Sequence, residues 1–167
     1  EKRLLIVGTM SWYPNIKGTL FFAKDIFSKI HCLDREYELY IVGKNPTKEI
    51  IALQEEGNGI VVTGYVEDID EYYRKCDIAI IPIYEGTGLK IKLIEAVGKG
   101  IPVITSKFVG KDYEEGSLMT AESYEQFLSI LKKYESDLSY RKRIFELSRK
   151  LYDSMDNDIG SMLDAFS

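Results

Sequence analysis

Histidine is almost missing from this chain: of 167 residues only His31 is one. A Ser-His-Asp triad or a histidine zinc site is thereby nearly excluded, and at the end of an amphipathic segment His31 reads as a helix-end residue. Cysteine is scarce too. Cys32 and Cys76 stand far apart with no partners at metal-ligand spacing, so two buried free thiols in a reducing, cytoplasmic setting are expected. No apolar run approaches the roughly 20 residues of a membrane-spanning helix. Positive charge is in deficit, 22 Lys and Arg against 27 Asp and Glu, which argues against nonspecific nucleic-acid binding. There is no internal repeat and no low-complexity tract. Glu1-Lys2-Arg3 runs directly into a short apolar segment, so no signal peptide is expected.

What is present is the composition of a globular domain, 45% hydrophobic and 29% charged, long enough for one core and too short for two. Leu4–Val7, Leu39–Val42, Ile60–Val66, Asp77–Ile83 and Val103–Thr105 read as buried strands, with Leu118-Met119 a short sixth. A first helix is expected from Asn15, its cap, to about Ile30, with Ile16, Leu20, Ala23, Phe27 and Ile30 facing inward. Others are expected over Pro46–Leu53, over Ile69–Lys75 behind an Asp68 cap, and over Ser123–Tyr134. The last covers Leu138–Met155, where Asp156-Asn157-Asp158 breaks the pattern before a final apolar stretch, Met162–Phe166. Lys107–Gly116 reads as a loop. Strands and helices that alternate with short connections predict a Rossmann-like, doubly wound parallel α/β sheet of about six strands in three αβα layers. Residues 1–167 form one domain in this reading.

One stretch carries the chemistry. Glu85-Gly86-Thr87-Gly88 follows the fourth strand, a helix-forming run leads from Leu89 to Lys99, and Gly100 with Pro102 closes it. A glycine loop at the carboxyl end of a buried strand lies where open α/β sheets bind ligands. The free amides near Leu89 and Lys90 suit an anion. At about 100° per residue, Gly88, Lys92, Glu95 and Lys99 form a polar stripe on an otherwise apolar helix. Spacing alone leaves two readings open: ion pairs Lys92–Glu95 and Glu95–Lys99 on a strip of solvent, or a face turned toward a ligand.

The run from Gly86 to Ile104 resembles the donor-site segment of GT-B-type retaining glycosyltransferases of group one/family four; Gly88, Lys90, Lys92, Glu95, Ala96, Gly100, Pro102 and Val103 carry the match. Gly8-Thr9-Met10-Ser11-Trp12-Tyr13-Pro14-Asn15 is similar to the opening of the C-terminal half in the same subgroup. The resemblance implies a donor-binding domain for a nucleotide-diphosphate sugar. Glu95 would hold the ribose, and Gly86, Thr87, Gly88 and Leu89 would meet the phosphates and sugar. Lys92 and Lys90 would stabilise the leaving diphosphate, and Tyr65 and Val66 would flank the base. Gly8 and Lys17 fall where relatives hold the pyrophosphate with an Arg and a Lys-Gly pair. That Arg is not recognisable here, and Lys17 equally reads as a solvated first-turn residue. Thr87 stands where many relatives have a sugar-contacting glutamate, so either Glu85 reaches in or the contact passes to backbone and Thr87.

No cofactor and no metal are expected: Asp68-Ile69-Asp70 matches the letters of an Asp-x-Asp motif but reads as a helix start instead. The resemblance spans the chain but only half of such an enzyme. An N-terminal acceptor domain would be its partner, the piece alone would be inactive, and peripheral membrane association would belong to the full-length enzyme only. A receiver-type signalling domain needs acidic residues where this chain has Gly8-Thr9 and Gly64-Tyr65, and so fails. A non-catalytic partner module and a nucleotide-sugar epimerase of the same architecture stay open.

Overall fold

The apolar runs form six parallel strands. The computed structural model describes residues 2–87 and 89–165, with backbone alone at 89, 90 and 158–165. Its strands are β1 (Lys2–Val7), β2 (Tyr37–Val42), β3 (Ile60–Gly64), β4 (Ile78–Ile81), β5 (Val103–Thr105) and β6 (Met119–Thr120), in the order 3-2-1-4-5-6. This is a doubly wound Rossmann-like sheet, and its order reverses between β1 and β4. Alternation along each strand builds two cores. Leu4, Ile6, Leu39, Ile41, Ile78 and Ile80 point to one layer, where Phe22 and Phe127 meet edge to face at 5.1 Å between ring centres. Leu5, Tyr40, Val42, Ala79 and Ile81 point to the other, against Leu93, Ala96 and Leu151. A fully buried side chain of this size contributes about 1.5–3 kcal/mol, so the layers rather than helix propensity hold the chain together.

The first helix differs from its expected form. It begins as α1 (Tyr13–Phe21), widens into a π-helical segment (Phe22–Phe27) and ends as α2 (Ser28–Leu33). The wider turns bring Phe22 and Ile26 into the core beside Ala23, Phe27 and Ile30, while Ile16 and Leu20 pack at its margin. Asn15 is not the cap. Trp12 holds that position without a side-chain bond, and Asn15 lies inside the helix. α3 (Lys48–Ile51) is shorter than expected because the Thr47 side chain caps it, accepting from Ile50 N. α4 (Ile69–Lys75) starts on Asp68, as its sequence implies, and α5 (Leu89–Gly98) follows the glycine loop. β4 stops at Ile81 because Pro82 has no amide hydrogen to continue the ladder.

A further short helix, α6 (Lys107–Gly110), replaces the expected loop where Ser106 caps it. α7 (Tyr124–Ser136) and α8 (Leu138–Ala165) complete the chain. α8 runs through Asp156-Asn157-Asp158 because Asp and Asn cost a helix only a few tenths of a kcal/mol each, and buried Leu151 and Met155 anchor the preceding turns. Cys76 is buried, and burial pushes its thiol up to about 12; Cys32 is exposed rather than buried.

The close approach of α1 to the end of β4 makes a testable demand. A Cβ on Gly18 would lie 1.6 Å from the Pro82 carbonyl oxygen. Gly18→Ala is expected to lower unfolding free energy by about 1–3 kcal/mol or more, measured by urea denaturation, since the helix must move off the sheet to make room.

Candidate functional site

The chain leaves β1 and β4 in opposite directions, and a crevice opens between their carboxyl ends. After β1 come Gly8 and Thr9, then the start of α1. After β4 come Pro82 to Thr87, then α5. Lys92 and Glu95, three residues apart on α5, line a cavity of about 210 Å³ together with Gly8, Thr9, Tyr73 and the strand ends. Sequence reasoning placed Lys92, Glu95 and Gly8 here. It missed Tyr73, whose position in the second core gives no hint in sequence that it borders a polar cavity. Burial, followed by the nearby Glu95 and Asp70 charges, raises the Tyr73 phenol well above its ordinary value, so it stays a neutral hydroxyl.

Lys92 is the electrostatic centre. Its ammonium donates to Asn15 Oδ1, and Asn15 Nδ2 in turn donates to the Thr9 carbonyl at 2.9 Å. The Trp12 ring centre lies 5.4 Å from Lys92 Nζ. Burial brings the Lys92 amine down to about 8, opposed by the Glu95 carboxylate. The amine is therefore still largely charged at neutral pH and favours an incoming anion. Gly8 makes the arrangement possible: a Cβ there would stand 2.5 Å from Lys92 Nζ and 2.7 Å from Asn15 Nδ2.

The glycine loop rests on α1. At Gly86, with φ +108°, a Cβ would lie 3.1 Å from a Trp12 ring atom and 3.2 Å from Pro14 Cγ, so both backbone angle and space favour glycine. Glu85 and Lys17, both expected near a ligand, pair with each other at 2.7 Å across the same seam, and both are about half exposed. Thr87 is exposed. Gly88 lies outside the described residues, as do the side chains of Leu89 and Lys90; the backbone of both belongs to the first turn of α5. Tyr65, 73% exposed just past β3, does not line the cavity, and Val66 packs against the second core.

Lys99, read as a partner for Glu95, pairs with Asp70 of α4 at 2.8 Å instead. Asp68 Oδ1 accepts from the amides of Asp70 and Glu71 and caps α4. Both ends of the Asp-x-Asp pair are thus engaged in structural contacts. A larger concavity of about 450 Å³ lies under α2 against the 52–60 segment. It carries Lys24, Arg35, Glu55 and Glu56 in mixed charge near the amino ends of β2 and β3, away from the crevice, so its size does not make it the site. His31 there sits buried at its helix end, its ring nitrogens 2.8 Å from the Tyr37 carbonyl and 3.2 Å from that of Gly57.

Residues 1–137 match the family described as "Glycosyl transferases group 1". No curated protein sequence matches the chain significantly. Among solved structures, WaaG, a glycosyltransferase involved in lipopolysaccharide biosynthesis, superposes with TM-score 0.68 at 21% identity over 92% of this chain and 43% of its own. A mutant of S. aureus TarM, in complex with Fondaparinux, alpha-GlcNAc-glycerol and UDP, gives 0.71 at 18% identity over 100% of this chain and 36% of its own. The C-terminal domain of the group 1 family protein LpcC from Francisella tularensis gives 0.62 at 19% over 91% and 83%. The chain therefore spans less than half the length of WaaG and TarM and most of the LpcC domain.

Because the Lys92 amine is lowered in the folded state relative to its ordinary 10.5, holding its proton costs stability below pH 8. That penalty fades as pH rises from about 8 toward 10.5. The gap in melting temperature between Lys92→Met and the parent is expected to shift steadily in favour of the parent from pH 7 to pH 10. Thermal melts of both proteins across that range check it, and a constant gap is the opposing result.

Proposed function

The chain belongs to the group 1 glycosyl transferases, and from that we propose that it is the donor-binding half of a GT-B-type enzyme that transfers a sugar, with retention, from a nucleotide diphosphate to an acceptor. One observation carries this reading: a half-buried, charged Lys92 and a carboxylate one turn further along α5 share a cavity at the sheet's switch point. Glu95 can accept from both hydroxyls of a ribose cis-diol. Lys92 meets the diphosphate at the start of α5, a role the family resemblance also assigns to Lys90 and to the amides of Gly86, Thr87, Gly88 and Leu89. As the glycosyl bond breaks, negative charge grows on the departing diphosphate, and a fixed ammonium with preset amides stabilises it without reorganising. No metal is needed in this scheme. Gly8 floors the crevice, Tyr65 and Val66 take the base side, and Lys17 with Glu85 borders the sugar side.

The acceptor would be held by an N-terminal domain of a longer, cytoplasmic enzyme, which as a whole associates peripherally with a membrane. The LpcC domain, most of which this chain matches, supports a half-enzyme reading, and the UDP held by TarM supports a nucleotide donor.

Charged hydrogen bonds contribute roughly 1.5–3 kcal/mol each, so Glu95→Gln is expected to weaken nucleoside diphosphate binding about tenfold or more. Calorimetry should show the parent preferring ribonucleotides to 2′,3′-dideoxy analogues and the variant not. Equal binding of both by both proteins would remove Glu95 from the ribose. The 167-residue chain is expected to bind donor without transferring sugar; turnover by the purified chain would show that it is more than a donor half.

A further inference from the structure

Asn15 is a buried polar residue in the second turn-forming position after Tyr13, and its two side-chain atoms are committed in opposite senses. Nδ2 donates to the Thr9 carbonyl at 2.9 Å, and Oδ1 accepts from Lys92. The two partners fix the amide orientation between them: only the carbonyl oxygen suits an ammonium, and only the NH2 group suits a carbonyl. Asn15 is 6% exposed, so neither atom can turn to bulk water instead. Gly8 supplies the space, because any side chain there would collide with both Asn15 and Lys92.

The identity of this partner matters more than its presence. An aspartate in the same place would hold Lys92 more tightly but cancel its charge, and would set an oxygen against the Thr9 carbonyl. An alanine would leave the ammonium without its acceptor. The amide fixes the ammonium while leaving its full charge directed at the cavity.

The geometry points to Asn15 as a positioning residue for the donor site: from α1, it holds Lys92 of α5 in place with a neutral acceptor, so that the lysine's charge remains available to a diphosphate. This rests on the donor-site reading above. It also gives the contact between the two segments a task that neither segment has alone.

The groups around Lys92 make its titration a usable readout. Glu95 is the charged neighbour on its own helix. Trp12 and Asn15 from α1 and Gly8 and Thr9 after β1 are uncharged, and Tyr73 from α4 is a phenol that stays protonated. Charge introduced at position 15 should therefore act on Lys92 directly.

The test uses the 167-residue chain, with UDP, ADP and GDP each measured by calorimetry against its own nucleoside from pH 6.5 to 10. The ratio of the two affinities cancels titration of the base, which both ligands share. In the parent the ratio for the preferred base is expected to fall with a midpoint near 8, the Lys92 value. Asn15→Asp is expected to lower the ratio at pH 7 by at least threefold and to move the midpoint upward by a pH unit or more, because a carboxylate retains the lysine proton. Asn15→Ala should move the midpoint the other way and lower the ratio at least twofold. Melting curves report whether each variant is folded, and the alanine variant carries the test if the aspartate does not fold. A role limited to bracing α1 would lower stability and leave both ratio and midpoint as in the parent; that result, in a folded variant, overturns the inference while leaving the donor site standing. A parent that binds no diphosphate more tightly than its nucleoside overturns the donor-site reading, and this inference with it.

Discussion

A helix comes as near to a neighbouring backbone as its side chains allow, and at Gly18 α1 has none to keep it away from the Pro82 carbonyl. That contact sets the distance between the first helix and everything that follows β4. Trp12 and Pro14 then reach Gly86, Lys17 reaches Glu85, and Asn15 reaches Lys92. Each of these pairs joins residues far apart in the chain, and none would meet if α1 lay farther from the sheet. The glycine loop and the start of α5 are thus held in place by a helix that enters the fold long before them.

The charges around the crevice divide by their partners. Outside it they are compensated by carboxylates: Lys17 by Glu85, Lys99 by Asp70, Arg74 by Asp68. Inside, the hydrogen bond of Lys92 goes to an amide, and Glu95 shares the cavity three residues further along. Burial favours the neutral amine, and only partly does the Glu95 carboxylate oppose it. Such a site holds a destabilised charge that an anionic ligand would relieve. Sites of this kind trade fold stability for binding.

The sheet was legible because its signal is short-range and repeated. Runs such as Leu4–Val7 and Ile78–Ile81 are continuous and apolar, and turn residues bound them. The α5 segment was legible because Lys92 and Glu95 stand on a helix with little other polarity. What escaped was decided by tertiary contact. Asn15 has the chemistry of a helix cap, and only the nearness of Lys92, 77 residues away, turns it to another use. The π-helical turns depend on which of Phe22, Ile26 and Phe27 the core can take, a choice that periodicity does not contain. Tyr73 borders the cavity from α4 because of how that helix packs, and Lys99 finds Asp70 there rather than Glu95 on its own helix.

Trp12 gives the seam between α1 and the glycine loop a further property. It is the only tryptophan in the chain, and its indole lies against Gly86 on one side with the Lys92 ammonium 5.4 Å from its ring. Indole emission responds to polarity and to charge at this range, and long-wavelength excitation passes over the twelve tyrosines. The chain therefore carries one selectively excitable fluorophore, set between the glycine loop and the crevice lysine. Its spectrum reads the state of the loop and the lysine without any added label.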